Sequence, residues 1–515
     1  MANKSLFASV VARFLPRTNT INHAGAPAYA YGPEARLAQL AVTGTLNDTY
    51  YADAAAQLSD VLEAAKAVDP LFVAKAAIYA RSAGTMKDMP ALLAAYLTIA
   101  DPDLSVLVFN RVINTGRMLR SYVQILRSGQ VGRRSLGSRP RRLVRQWLEQ
   151  ASIRDLMAAA TGANPRLRDI VRMVHPKPAD ASREAFYGWL LDRPYDASAL
   201  PTEIAAFEAW KKDPTLPLPP VPFEWLSSFP LTAEQSVQLA GRMGWQGLRM
   251  NLNMLARRGV FELDGMADAI AVRLCDRAVV QAVRPLPYQV MMALSQLDEA
   301  VPPPIHAALE QVLELSLANV PTVSGRVVVC PDVSGSMSSP ITGYRPGASS
   351  RVRCIDVAAL VAAALLRSNR TARVLPFACD VVPLALDPQA SVAANAAALA
   401  GICGGGTNIS APLAMLNEEE AAVDLVLIVS DNASWVDAVG GGATQTMIEW
   451  DILKRRNWRA KLVCVNLTPY GTTQASGRDD IINVGGFSDA VFDSINGFLS
   501  GETRDWVGVV RAVDV

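Results

Sequence analysis

Two hydrophobic rhythms divide this chain. Up to about residue 322, apolar positions recur at helical spacing in runs of roughly 10 to 17 residues joined by short links, and strand-like alternation is nearly absent. Asp53 to Val68 is rich in Ala and Leu, Pro70 opens Leu71 to Ala83, Pro90 opens a run to Ala100, and Pro102 opens the next. Pro140, Pro165, Pro201 and Pro302 also stand near expected helix starts, where a missing N–H removes no intrahelical bond. Gly84, Gly116, Gly129, Gly162 and Gly259 stand where helices should stop. Asp213 to Pro222 reads as an extended proline-rich link. Beyond Gly325, short β-branched runs alternate with helical ones. Strands are expected at 326–331, 373–378, 424–430, 461–467 and 481–484, and helices near 354–369, 390–400, 411–418, 444–456 and 488–499.

The change of rhythm predicts two domains, residues 1–322 and 323–515. The first is expected to be a stack of antiparallel helices, an α-solenoid similar to HEAT repeats. The second is expected to be a parallel sheet wound on both faces, so the fold class is α followed by α/β. Composition agrees: 50% of residues are hydrophobic and 19% charged, enough apolar surface for large cores. No run of ~18 apolar residues is free of a charge or a breaker, which argues against a membrane span. The apolar stretch within Met1 to Arg13 is too short for a secretory signal. The six cysteines are scattered, with no C-x-x-C pair, as expected for reduced thiols in a cytoplasm rather than for zinc or disulfides.

The net charge of +1 hides an asymmetry. Arg111 to Glu184 carries 16 Lys/Arg against 5 Asp/Glu, whereas residues 324–515 carry 15 against 19. A basic block in a nearly neutral chain is an electrostatic footprint for a polyanion. Arg133, Arg134, Arg139, Arg141, Arg142 and Arg145 form a basic loop running into an amphipathic helix, with Ser138 as its expected cap and Leu143, Val144, Trp147 and Leu148 as its buried stripe. Arg168, Arg172 and His175 follow at i, i+4 and i+7, one helical face, with Lys177 just beyond.

The second domain carries a different chemistry. Asp332-x-Ser334-x-Ser336 ends one expected strand, Asp431 ends another, and Thr407 follows the glycine-rich Gly404-Gly-Gly turn. Ligands bind beyond the carboxyl ends of strands in such sheets. Two carboxylates and three hydroxyls suit a hard divalent cation, magnesium first, which takes oxygen ligands and keeps several waters. A phosphate loop needs Lys before the Thr, and none is there. Ser334 as a nucleophile needs a histidine base, and His23, His175 and His306 all lie in the first domain. A nuclease would need Asp332 and Asp431 to activate water, usually with a second metal. The chain is therefore expected not to be an enzyme.

The ordered set Asp-x-Ser-x-Ser, Thr, Asp resembles the metal-ion-dependent adhesion site of von Willebrand factor A domains. Together with the helical half, the chain is similar to the Ro60 family, whose helical portion is the TROVE module. The resemblance is carried by Tyr50-Tyr51, by Phe109 to Arg117, and by Asp169-Ile-Val-Arg172-Met-Val-His175-Pro-Lys177. It continues through Gly404 to Leu413, Asp424 to Trp435, Ala460 to Asn466, Arg478-Asp-Asp480 and Gly485 to Asp489. It implies a monomeric ring of helical repeats closed by the A domain. It also implies binding of small structured Y-like RNA on a basic surface and of single-stranded 3′ ends of misfolded RNA, with polynucleotide phosphorylase as the nuclease partner. The family's RNA-contacting basic pair maps to Arg168 and Arg172, with arginine in place of lysine at the first. The Arg345 to Arg353 insertion departs from the family's tight loop. The alternative reading is a metal-dependent protein-interaction scaffold with no RNA role.

Overall fold

A computed structural model describes residues 15–317, 320, 322–323, 325–344, 352–369, 371–435, 442–488, 490–503 and 505–515. Residues 1–14, which include the apolar stretch too short for a secretory signal, and 345–351 of the insertion lie outside them. The chain groups into two compact units that do not follow chain order: one of Met1–Met89, Arg284–Met292 and Leu313–Asp514, the other essentially Pro90–Val283 with Ala293–Val312.

The first unit holds the sheet. Strands β3 (Val327–Pro331), β4 (Arg373–Val374), β5 (Leu425–Ser430), β6 (Lys461–Asn466) and β8 (Ile481–Gly485) lie in the order β4-β3-β5-β6-β8, every pairing parallel. All residues of β3 and β5 are buried. That is why these strands read as unbroken apolar runs: a parallel sheet covered on both faces has no solvent side to alternate toward. Val328, Cys330, Val426, Ile428, Leu462 and Cys464 share one core with Met447, Trp450 and Leu453 of the helix Gln445–Arg456. The helix Cys354–Ser368 packs against β3 and β5.

The first unit also recruits the N-terminus, which helical periodicity does not foretell. Two short strands, β1 (Thr20–Ile21) and β2 (Pro27–Ala30), pair antiparallel, and β2 continues onto β7 (Thr472–Thr473). The helix Pro33–Thr43 packs on β8. Its buried Gln39 donates from Nε2 to the carbonyls of Asn466 at 3.3 Å and Thr468 at 3.0 Å. Asn466 ends β6 and Thr468 lies just beyond it; the Asn466 carbonyl also accepts from the Gly486 N–H at 3.0 Å, so Gln39 ties the helix to the carboxyl end of the sheet.

The second unit is helical. Pro102–Val112 packs on Ser138–Gln150, Gly116–Ser128 on Ile153–Ala160, and Ser138–Gln150 on Leu167–Val174. Each helix thus meets the one two places along, the contact that stacked helical pairs make. Pro102 stands at the first helical position behind the cap Asp101, whose carboxylate accepts from the backbone N–H of Asp103 and Leu104, both at 3.0 Å. Three local expectations change. Gly116 begins a helix rather than ending one: a Cβ there would come within 2.2 Å of the Ala159 side chain, so glycine is the price of close helix contact. Ser138 is the first helical residue, and the cap is Gly137 at φ 69°, a conformation that glycine adopts without strain. Pro165 precedes its helix, which starts at Leu167. The Asp213–Pro222 link contains no regular element. Arg242 Nη1 anchors it by donating to the carbonyls of Leu218 at 2.7 Å and Pro219 at 3.0 Å.

Candidate functional site

The five oxygen-bearing residues expected at the sheet are all buried: Asp332, Ser334, Ser336, Thr407 and Asp431. β3 and β5 are in register from Val327–Leu425 to Pro331–Val429, so their carboxyl ends coincide and Asp332 and Asp431 emerge side by side. The Asp332 carboxylate accepts from the Ser334 backbone N–H at 2.8 Å and from Ser430 Oγ at 2.6 Å. The hydroxyls of Ser334 and Ser336 lie 3.4 Å apart, and Ser336 also hydrogen-bonds Asp431. Asp431 further accepts from the Ala433 N–H at 3.2 Å. The glycine-rich loop is strapped to the Ser334 loop by Gly404 N–H to Val333 carbonyl (2.8 Å) and Gly335 N–H to Gly405 carbonyl (2.9 Å), which sets Thr407 beside the group.

Electrostatics explain what such a site needs. Burial, then the neighbouring Asp431 charge, pushes the Asp332 carboxyl up to about 7, and burial raises Asp431 as well. Among the described residues, no Lys or Arg pairs with either carboxylate. Two like charges without water or a counter-ion are costly, and a divalent cation is the species that would neutralise them. Among the described residues no group of three or more His, Cys, Asp or Glu is placed to hold a metal ion, so any cation here would take hydroxyls beside the two carboxylates. The residues present therefore fit a hard, oxygen-preferring cation.

Sequence reasoning gave no role to the residues around this group. Tyr51 hydrogen-bonds Ser336, and its phenol is pushed up to about 12 by burial, then by Asp431. It packs edge-on to Tyr50 at 4.7 Å and to Tyr470 at 5.7 Å, and His23 stands 4.5 Å from Tyr470. Ser430 and Cys403 brace the loops, the Cys403 thiol donating to the Ser334 carbonyl at 3.2 Å. The half-exposed Trp435 ring packs against Gly406, and the Trp435 backbone N–H donates to the Thr407 carbonyl at 3.2 Å. Ser430 was open to notice as a hydroxyl beside a strand-end carboxylate; Tyr51 offered no such signal.

The basic residues are less uniform than their spacing suggests. Arg134, Arg139, Arg141, Arg142, Arg172, His175 and Lys177 are exposed. Arg139 pairs with Asp103 at 2.7 Å and Arg168 with Asp192 at 3.0 Å. Arg145 is half-buried, its Nε donating to the Val174 carbonyl at 2.9 Å, and Arg133 turns inward toward Gly137 and Tyr122. His175 does not continue the helical face: the helix ends at Val174, and His175 takes φ 50° as its left-handed cap. The stripe of Leu143, Val144 and Leu148 is buried as expected, with Trp147 half-buried.

Comparison with known proteins accords with both halves. Residues 326–499 match the family model described as the Ro60 vWA domain. The chain is 26% identical to the RNA-binding protein RO60 of Deinococcus radiodurans, over 93% of this chain and 95% of that protein. The crystal structure of the Deinococcus radiodurans RO (RSR) protein has the same fold, with a TM-score of 0.62 at 23% identity, covering 92% of this chain and all of that one. No helix among the described residues is long and apolar enough to cross a membrane. The chain thus carries a Ro60-type von Willebrand factor A domain and is similar to a bacterial Ro60 protein along nearly its whole length.

Proposed function

We propose that this protein binds RNA in the cytoplasm: small structured RNA of the Y type, and single-stranded ends of misfolded RNA, which it presents to a nuclease such as polynucleotide phosphorylase without cleaving them. The observation that carries this reading is the likeness to an RNA-binding protein over 93% of the chain. The exposed Arg134, Arg141, Arg142, Arg172 and Lys177, for which no ion pair occurs among the described residues, support it. Phosphate backbones are recognised by such cations, and structured RNA mainly by shape and backbone. Magnesium is the proposed cation at Asp332, Ser334, Ser336, Thr407 and Asp431; when bound, it would offer an open position to an oxygen of a partner.

The test is titration of the purified full chain into labelled small structured RNA at several salt concentrations, with sequencing of RNA crosslinked to it in its own cells. Tight binding that weakens steeply with salt is expected. Absence of binding at low salt, with no RNA recovered from cells, would leave the protein-interaction scaffold as the better reading. Labelled RNA incubated with protein and Mg²⁺ should stay intact; cleavage abolished by Asp431→Ala would make the chain a nuclease instead.

A further inference from the structure

Within the helical unit, a cleft of about 750 Å³ opens between the loop after the Ile153–Ala160 helix and the helices Ala181–Leu190, Thr202–Lys212 and Phe223–Leu226. Its size lies in the usual ~300–1,000 Å³ range of small-molecule sites. One wall is aromatic. The indoles of Trp189 and Trp225 stack with centroids 5.6 Å apart and planes 27° off parallel, and Phe207 meets Trp225 at 5.3 Å. The Trp189 indole N–H donates to Glu208 at 2.9 Å, which fixes that ring. Tyr195 lines the same cleft and is 40% exposed. It is held against the backbone of Gly188, where any Cβ would lie 2.7 Å from that of Tyr195.

The remaining wall is cationic. Arg166, Arg168, Arg193 and Lys211 face the cleft with two carboxylates, Asp192 and Glu208. Both carboxylates are already engaged, Asp192 with Arg168 at 3.0 Å and Glu208 with Lys211 at 2.6 Å. Arg166 and Arg193 are exposed and have no ion pair among the described residues, so two positive charges are left for an anion. An aromatic cluster serving only as core would not be open on one side and ringed by uncompensated guanidinium groups. Flat π faces beside free guanidinium groups are the chemistry of a base and its phosphate.

We infer that this cleft takes a nucleotide of single-stranded RNA, its base against the Tyr195 and tryptophan rings and its phosphate between Arg166 and Arg193. A base inside a duplex is already stacked and paired and cannot enter. The inference rests on the RNA-binding reading above and assigns the single-stranded part of it to this cleft.

The full chain would be titrated, by fluorescence anisotropy, into a 5′-phosphorylated oligoadenylate of about ten nucleotides and, separately, into a stable RNA hairpin. Tyr195→Ala should weaken oligoadenylate binding roughly tenfold and leave hairpin binding unchanged, while Tyr195→Phe, which keeps the ring, should bind like the native chain. Arg193→Gln should flatten the salt dependence for the oligoadenylate by about 0.7. Native protein that binds the oligoadenylate, with Tyr195→Ala binding it equally well, overturns the cleft but leaves the RNA reading standing. Equal loss in the Ala and Phe variants, or equal loss for strand and hairpin, also overturns it. Native protein that binds neither RNA overturns both.

Discussion

At the scale of single residues, Asp332 and Asp431 are a like-charged pair, both buried, both raised, and linked through the hydroxyls of Ser430 and Ser336 to different loops. The sign of their effect on stability follows from the shift. With its folded carboxyl near 7 against about 3.9 in the unfolded chain, Asp332 adds stability to the metal-free protein below about pH 4 and loses it as the pH rises through about 7. Chelator-treated protein should therefore melt at a higher temperature at pH 6 than at pH 8 on this account. Asp332→Asn should shrink that difference in differential scanning fluorimetry, leaving only what buried Asp431 contributes. In the same variant Mg²⁺ should no longer stabilise, whereas the native chain should gain about 2.7 kcal/mol at roughly 100-fold excess over its Kd. Equal magnesium responses in calorimetry would place the cation elsewhere. This pair was legible in the sequence because each carboxylate ends an apolar run. Tyr51 was not, since only folding carries a residue some 280 positions upstream to the Ser336 hydroxyl.

At the scale of elements, the glycine-rich loop and the helix Ser138–Gln150 show how one pattern can serve two purposes. Gly406 lets the Trp435 indole lie on the backbone beside Thr407; a Cβ there would sit 2.4 Å from the ring. Gly406→Ala should displace Trp435 and lower magnesium affinity severalfold while far-ultraviolet circular dichroism stays native, and unchanged affinity would show the loop to be tolerant. On the basic helix, Arg141 and Arg145 share a face by spacing, yet only Arg145 ties that helix to its neighbour through the Val174 carbonyl. Arg145→Ala should cost about 1.5–3 kcal/mol of stability in urea denaturation, as expected for a hydrogen bond to a charged donor. Arg141→Ala with Arg142→Ala should leave stability nearly unchanged but flatten the salt dependence of RNA binding by about 1.5. If the double variant melts early with RNA affinity intact, these arginines brace the fold rather than dock a ligand. Counting charges in sequence windows overstated the free arginines: Asp103 and Asp192 lie outside the basic stretch, and folding brings them to Arg139 and Arg168.

At the scale of the whole molecule, the Asp332–Asp431 site and the basic helices belong to different compact units. Chelation should accordingly leave RNA affinity unchanged in filter binding, while rising salt should weaken it steeply; a large loss with chelator alone would mean that the cation controls RNA binding. The sequence by itself determined the alternation of strands and helices after Gly325, the helical character before it, and the placing of Asp332 and Asp431 at strand ends. Each of these is written in local periodicity or at the ends of elements, where the backbone fixes which side chains are neighbours. The tertiary structure alone decided the rest. It brought residues 20–43 onto the sheet unit through β2, β7 and Gln39, because the apolar surface of the sheet unit must be covered and buried polar groups such as Gln39 must find partners wherever the chain reaches them. It chose which arginines are paired, turned inward or free, and it opened the Trp189–Trp225 cleft. Contacts between residues distant in the chain depend on packing and charge in three dimensions, and no spacing along the chain records them.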